Sequence, residues 1–365
     1  MSPARGGVRS RRTALPVVAV TGAAGSIGGP LVQLLSTHDG VRRVVALDDH
    51  RGDADGVTWR VLDVRNPILA ERLAGVDVVV HVDIDLSVES EPDARTSRNV
   101  RGTQTVLTAA AAAGVRRVVL LSSAMVYGAH ADNLVPLPED SQLRASSEIG
   151  LLADLLEIER LGAVAPLSHP GLDVTMVRPA IVVGANADTS LTRHFEAPRL
   201  LVLRGSRPRW QFCHVDDLAT ALACAAVGQV TGVITVGSDG WLEQDDLERI
   251  SGLHRIELPA SVAFGAAERL HRLGILPAPA AEMSYVVHPW VVSTRQLRES
   301  GWRATHGNED CLKTLLAEVE GRHAVASRRV GRRDATLGAA GAAGAAVAFA
   351  GTAALVRRAR RRRRG

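Results

Sequence analysis

The chain holds 365 residues, 46% of them hydrophobic, enough to bury the core of one large α/β unit or of two lobes. Its three cysteines, Cys213, Cys224 and Cys311, lack metal-ligand spacing and make no disulfide framework, which points to a reducing compartment. The formal net charge of +4 hides a division: residues 322–365 carry twelve arginines and one aspartate, so the body before them is acidic and nothing in it supports specific nucleic-acid binding.

Residues 1–14 are a basic extension with Arg5, Arg9, Arg11 and Arg12. A basic segment ahead of an apolar run imitates an export signal. The run at residues 14–20 is short, however, and passes straight into a glycine turn, so it reads as the first strand of a cytoplasmic protein. The turn is Thr21-Gly22-Ala23-Ala24-Gly25-Ser26-Ile27-Gly28, with glycines spaced Gly-x-x-Gly-x-x-Gly, and a helix is predicted to open at Gly28. Strand, glycine turn and helix in that order are the context of a dinucleotide fingerprint. One glycine permits the tight turn, one lets the backbone approach a pyrophosphate, and one lets helix and strand pack closely. The helix N-terminus adds free N–H groups and a partial positive charge. The plain alternative is a Gly/Ala-rich loop in a Gly/Ala-rich protein.

Residues 42–48 are the second predicted strand, ending at Asp48. A carboxylate about twenty residues beyond the turn accepts hydrogen bonds from ribose hydroxyls and repels a 2′-phosphate, favouring NAD over NADP; an ordinary strand-end aspartate would look the same. Residues 57–63 are the third strand, with Asp63 and Val64 placed to meet an adenine edge. Residues 75–81 are the fourth, ending at His81, which reads either as a satisfied histidine or as a site residue. An alanine-rich helix is predicted over 99–113 and a fifth strand over 115–123. Strands alternating with helices imply βαβ units and a parallel sheet, and near-continuously apolar strands fit a sheet covered on both faces.

Several motifs now line up: Asn99-Val100-Arg101-Gly102-Thr103, then Gly114-Val115-Arg116-Arg117-Val118-Val119, then Ser122-Ser123-Ala124-Met125-Val126-Tyr127-Gly128. They are followed by Val177-Arg178-Pro179-Ala180, by Gly184, and by Phe212-Cys213-His214-Val215-Asp216-Asp217-Leu218-Ala219. In order and spacing, over roughly residues 16–320, they resemble the extended short-chain dehydrogenase/reductases. Within these the chain is most similar to the NAD-dependent epimerase/dehydratase group typified by UDP-glucose 4-epimerase. The resemblance implies an α/β fold, a doubly wound parallel sheet of Rossmann type with a smaller C-terminal substrate lobe. The domain would run over 15–325, its cofactor part about 15–165 and its lobe mainly 166–325. Implied cofactor residues are Gly22, Gly25, Ser26, Ile27, Gly28, Asp48, Asp63, Val64, His81, Asn99 and Ser122, holding NAD without a metal. The implied partner is a nucleotide sugar or other small molecule, and the oligomeric state, a homodimer among the options, is left open by the sequence.

The pattern breaks at the chemistry. The family works with a tyrosine and a lysine four residues apart on one helix face, the lysine lowering the tyrosine pKa. Here the only tyrosines are Tyr127 and Tyr285 and the only lysine is Lys313. Counting along the helix expected to carry the pair puts the tyrosine position near Ile149 and the lysine position near Ala153. Ser123 keeps the family's catalytic serine or threonine position, and Tyr127 is either a substitute acid/base or a packing residue at the rim. The fourth strand continues into Asp83 where the family has small residues; a carboxylate there repels a pyrophosphate unless an arginine stands between them. Ile181 occupies the position of an asparagine that holds the substrate diphosphate in related enzymes. His214, Asp216 and Asp217 precede a helix that they are expected to cap and tie to the other lobe. Arg193, Arg204, Arg207 and Arg209 could meet phosphates or simply be solvated.

The tail, residues 326–365, differs in kind. Residues 335–356 carry no charge, are long enough to span a bilayer, and precede seven arginines, yet hold eleven alanines and four glycines. A membrane-associated tail, a solvated Ala/Gly/Arg tail and a nucleic-acid-binding tail all fit that composition. Three functions follow: an NAD-dependent epimerase/dehydratase-like oxidoreductase or isomerase, a non-catalytic NAD or nucleotide-sugar sensor or scaffold, and an interaction protein that keeps the fold without the cofactor.

Overall fold

The computed structural model describes residues 15–184, 188–272, 280–322, 324–325 and 328–329. The N-terminal extension and the uncharged stretch 335–356 lie outside the described residues. Among the described residues no helix is long and apolar enough to cross a membrane.

The first half alternates strand and helix as the apolar runs demand. It comprises β1 (Val17–Thr21), α1 (Gly28–Ser36), β2 (Arg43–Asp48), β3 (Thr58–Val61), α2 (Leu69–Arg72) and β4 (Val78–His81). Next come α3 (Pro92–Thr96), a π-helical turn (Ser97–Arg101), α4 (Gly102–Ala112) and β5 (Arg117–Leu121). The helical run thus starts before the predicted residue 99, because Pro92 sits in its first turn, where the missing N–H costs nothing. Then follow α5 (Gly150–Ser168), β6 (Asp173–Pro179), β7 (Ile181–Val183), α6 (Ser190–His194) and α7 (Val215–Val227).

Seven strands form one parallel sheet in the order Val233–Val236, β6, β5, β4, β1, β2, β3. The chain winds outward through β2 and β3 on one side and, restarting beside β1 with β4, outward on the other. The switch between β1 and β4 opens a crevice at the strand C-termini, where ligands of such sheets bind. Both faces are covered, which is why the strands are apolar throughout: Val18 and Val20 pack with α1 and α7, Val17 and Ala19 with α2, α4 and α5.

A second core gathers Phe195, Trp210, Phe212, Trp290 and Leu312, together with Ala124, Tyr127 and Leu137 from the first half. The two cores therefore interleave in sequence. β6 and the strand Val233–Val236 return to the sheet from beyond residue 165 because each is an apolar strand with a parallel neighbour waiting.

Candidate active site

The glycine turn joins β1 to α1 by close contacts that side chains would block. Gly22 has φ +71°, a conformation that favours glycine, and its carbonyl accepts the Gly25 N–H at 3.1 Å. A Cβ on Gly28 would stand 1.9 Å from the Gly22 oxygen. A Cβ on Gly22 would stand 2.8 Å from the backbone of Asp83, so the turn is also pressed against the exit of β4. The first turn of α1 has no acidic residue to neutralise its positive end. Gly22, Gly25, Ser26, Ile27 and Gly28 line a crevice of about 510 Å³, with Asp48, Asp83, Asp85 and Arg98 across from them.

Asp48 closes β2 with its carboxylate almost wholly buried. One oxygen accepts the Ala24 N–H of the turn at 2.9 Å and the other accepts the Asp49 N–H at 2.8 Å. A carboxylate has about four acceptor sites, so both oxygens keep capacity for ribose hydroxyls. Asp83 meets Arg98, whose Nε donates to its Oδ1 at 2.8 Å while Nη2 reaches Asp49 at 3.3 Å. Burial pushes the Asp83 carboxyl up and Arg98 opposes it. An arginine thus pairs with Asp83 at the crevice, and it comes from the π-helical turn.

Several expected residues stand elsewhere. His81 turns its ring into the core between Thr21 Oγ1 at 2.7 Å and Thr103 Oγ1 at 3.1 Å, and burial lowers its pKa to about 4. It is a satisfied, neutral imidazole and not a side chain of the crevice. Asn99 is fully buried; it accepts the Asp85 N–H at 2.7 Å and donates to the Asp85 carbonyl at 3.0 Å and to Asp154 at 3.2 Å. Its side chain holds the loop beyond β4 in place. Asp63 is forked by Arg65, which holds its carboxyl below the usual range, and Val64 packs against Gly102 in the core; neither side chain lines the crevice.

Ile27 and Leu86, which line the crevice, also line a second, smaller chamber of about 40 Å³. Ser122 and Ser123, just beyond β5, line it. Ser123 caps a short 3-10 turn, its Oγ accepting the Met125 N–H at 3.2 Å, and can still donate its own proton. The Ser122 hydroxyl is buried with no hydrogen-bond partner among the described residues, which ordinarily costs about 1–3 kcal/mol. From α5 the side chains facing the chamber are Leu151 and Leu155, four apart on one helix face. Of the expected positions, Ile149 is 57% exposed ahead of the helix and Ala153 lies off the lining. The positions that face the two serines hold no group able to move a proton.

Tyr127 cannot replace them. Its ring is buried outside the chamber, its hydroxyl donates to the Glu139 carbonyl at 2.7 Å and accepts from Arg178 Nη1 at 2.9 Å, and burial raises its pKa. Arg178 is in turn forked by Glu159 at 2.8 and 2.6 Å. Ile181 lines the chamber and offers no donor. Of the arginines beyond residue 190, Arg193 is buried against Asp188, Arg209 pairs with Glu243, and Arg204 and Arg207 are exposed.

His214 caps α7, its Nδ1 accepting the Asp216 N–H at 3.3 Å. Asp217 takes the N–H groups of Thr305 and His306 at 2.9 and 3.0 Å, tying α7 to that segment. His214 and His306 stack at 3.8 Å with 18° between their planes. Near-parallel rings direct their lone pairs side by side and not toward one ion, so the cluster with Asp216 is not built for a metal.

A doubly wound sheet with a glycine turn and a strand-end acid at its switch point defines a dinucleotide-binding oxidoreductase-type protein. The profile of the NAD dependent epimerase/dehydratase family matches residues 18–237, and the chain belongs to that family. An uncharacterized protein of Mycobacterium tuberculosis is 31% identical over 299 residues, covering 77% of this chain and 78% of that one. An uncharacterized protein of Sinorhizobium fredii is 30% identical over 309 residues, covering 80% and 76%. Among solved structures, MoeE5 in complex with UDP-glucuronic acid and NAD superposes with a TM-score of 0.61 at 23% identity, covering 83% of this chain and 98% of that one. TunA, an NAD-dependent NDP-hexosamine 5,6-dehydratase, gives 0.61 at 22%, covering 84% and 98%. These two likenesses are of fold.

Proposed function

We propose that this family member binds NAD in the crevice at the switch point and does not run the family's tyrosine–lysine hydride and proton chemistry, acting as an NAD-dependent binding protein. The observation that carries the reading is that Leu151 and Leu155 are the side chains α5 presents to Ser122 and Ser123. The cradle fits the cofactor: Gly22, Gly25, Ser26, Ile27 and Gly28 would hold the pyrophosphate at the start of α1, and Asp48 the adenosine ribose. NAD would bring a hydride acceptor; the chain's own residues supply binding, charge balance through Arg98 and an apolar wall.

Calorimetric titration of NAD and NADP into the full chain tests this. NAD is expected to bind, NADP about tenfold or more weakly because the Asp48 carboxylate lining the crevice would repel a 2′-phosphate. Gly25→Asp, at an exposed position, should remove both. Absence of binding to the folded wild type would overturn the reading.

The second reading is turnover of a nucleotide sugar, the class of molecule named for MoeE5 and TunA. Ser123, retained and able to donate, favours it. Conversion of a UDP-sugar that disappears in Ser123→Ala would establish it.

A further inference from the structure

A hollow of about 520 Å³, as large as the crevice, opens just beyond the edge strand Val233–Val236. β6 and β5 stand between that strand and β4, and hollow and crevice share no lining residue. Its walls are the turn 238–241 and the segment 291–299, with Arg303 beside them. Two buried amides hold these walls. Gln211 Nε2 donates to the Ser238 and Val292 carbonyls at 3.0 and 3.1 Å, and its Oε1 accepts the Val292 N–H at 2.9 Å. Asn308 Nδ2 donates to the Asp239 carbonyl at 3.0 Å, and its Oδ1 accepts the Phe212 N–H at 2.9 Å. Both amides are spent on backbone, so the hollow is preformed.

Three arginines line it, Arg295, Arg298 and Arg303, with two carboxylates, Asp239 and Glu299, leaving a net of one positive charge. The carboxylates are loosely engaged: Arg298 Nη1 lies 3.4 Å from Asp239 and Arg295 Nε 3.9 Å from Glu299, exposed pairs that contribute little. Arg303 has no carboxylate partner among the described residues. Its Nη1 donates to the Arg298 and Trp302 carbonyls at 2.7 and 2.6 Å, which uses both protons of that nitrogen. Nε and Nη2 keep no partner among the described residues, and together they form the side-on fork that grips an oxyanion with two parallel hydrogen bonds. The Thr294 hydroxyl lines the same hollow in a residue only 7% exposed, and it too makes no hydrogen bond among the described residues. Trp241 adds a flat apolar surface. Its Nε1 donates to Glu243 at 2.9 Å and Arg209 lies 5.2 Å over its ring, so the indole is fixed at edge and face.

We propose that this hollow is a second ligand site, for a small aromatic carboxylate. The carboxylate takes the Arg303 fork and the Thr294 hydroxyl, and the ring lies against Trp241 and the apolar wall of Val291 and Val292. One net positive charge suits a monoanion, whereas a phosphate dianion would stand unbalanced beside Asp239 and Glu299. A ring without the acid would leave the Arg303 fork empty. The site stands whether or not NAD occupies the crevice.

The test titrates 2-naphthoate into the full chain, with and without NAD, and follows it by saturation-transfer NMR. Binding is expected in both cases with the same affinity. 2-Naphthalenemethanol, the same ring without the acid, should bind about tenfold or more weakly, and inorganic phosphate should not displace the naphthoate. Arg303→Met should weaken naphthoate about tenfold, and Arg303→Lys, which keeps the charge without the fork, should restore only part of the loss. Thr294→Val should weaken it several-fold without lowering the thermal midpoint, since it deletes an unpaired hydroxyl; this variant decides the matter where an Arg303 variant fails to fold. No binding of naphthoate, its displacement by NAD or by phosphate, equally tight binding of the alcohol, or an affinity indifferent to both Arg303→Met and Thr294→Val would overturn the proposal.

Discussion

Tyr127 shows how a chemically capable residue becomes structural. Its hydroxyl sits between the Glu139 carbonyl and the Arg178 guanidinium, which also lies 4.9 Å over its ring. Tyr127→Phe should cost about 1–3 kcal/mol in chemical denaturation, because the carbonyl and the guanidinium both lose a partner in the core. NAD affinity should not change; a loss of NAD binding or of turnover without a loss of stability would restore the catalytic alternative. Neither partner was legible in the sequence, since they lie 12 and 51 residues away and no spacing rule connects them. That no tyrosine stands four residues before a lysine was legible, because two tyrosines and one lysine are an inventory and need no alignment. The register of α5 was not. Leucines at 151, 152, 155 and 156 give α5 two apolar stripes, and only the fold decides which one meets the serines.

At the scale of elements, the π-helical turn between α3 and α4 sorts two neighbouring side chains. Arg98 points to the crevice and Asp83, while Asn99 points inward to Asp85 and Asp154. A wide turn shifts the helical phase, so a period of 3.6 residues carried back from α4 misplaces both, and this contact was readable only as a condition on Asp83. The condition yields a double-mutant prediction. Arg98→Met leaves Asp83 uncompensated beside the phosphate-binding turn and should weaken NAD about tenfold, more at low salt than at high. Asp83→Asn in that background should restore most of the loss, measured by the same titration. If the two losses simply add, the pair does not screen the cofactor and Arg98 acts some other way. The sheet order and the glycine turn were legible for the opposite reason: apolar runs and glycine spacing are local, and parallel βαβ units leave few ways to connect them.

Across the whole molecule, two buried histidines far apart in the fold are among the groups that link stability to pH. His81 lies beneath the sheet between β1 and α4. His194 lies beside the second core, stacked 5.5 Å from Trp210, with its Nε2 unpartnered among the described residues. Burial lowers each pKa from 6.5 to about 4, so both are neutral when folded at neutral pH. Between those two values the unfolded chain binds protons that the folded chain refuses. Stability therefore rises with pH through that window, is fully present above the ordinary value, and is lost as pH falls toward 4. The limit is on the order of 3 kcal/mol per histidine. His194→Phe keeps the stack on Trp210 and removes the proton linked through His194. Urea denaturation of wild type and variant at a series of pH values should find them similar at neutral pH, with the variant progressively the more stable as pH falls. Parallel curves would mean that His194 accepts its proton in the folded state, and would place water or a polar partner beside its Nε2.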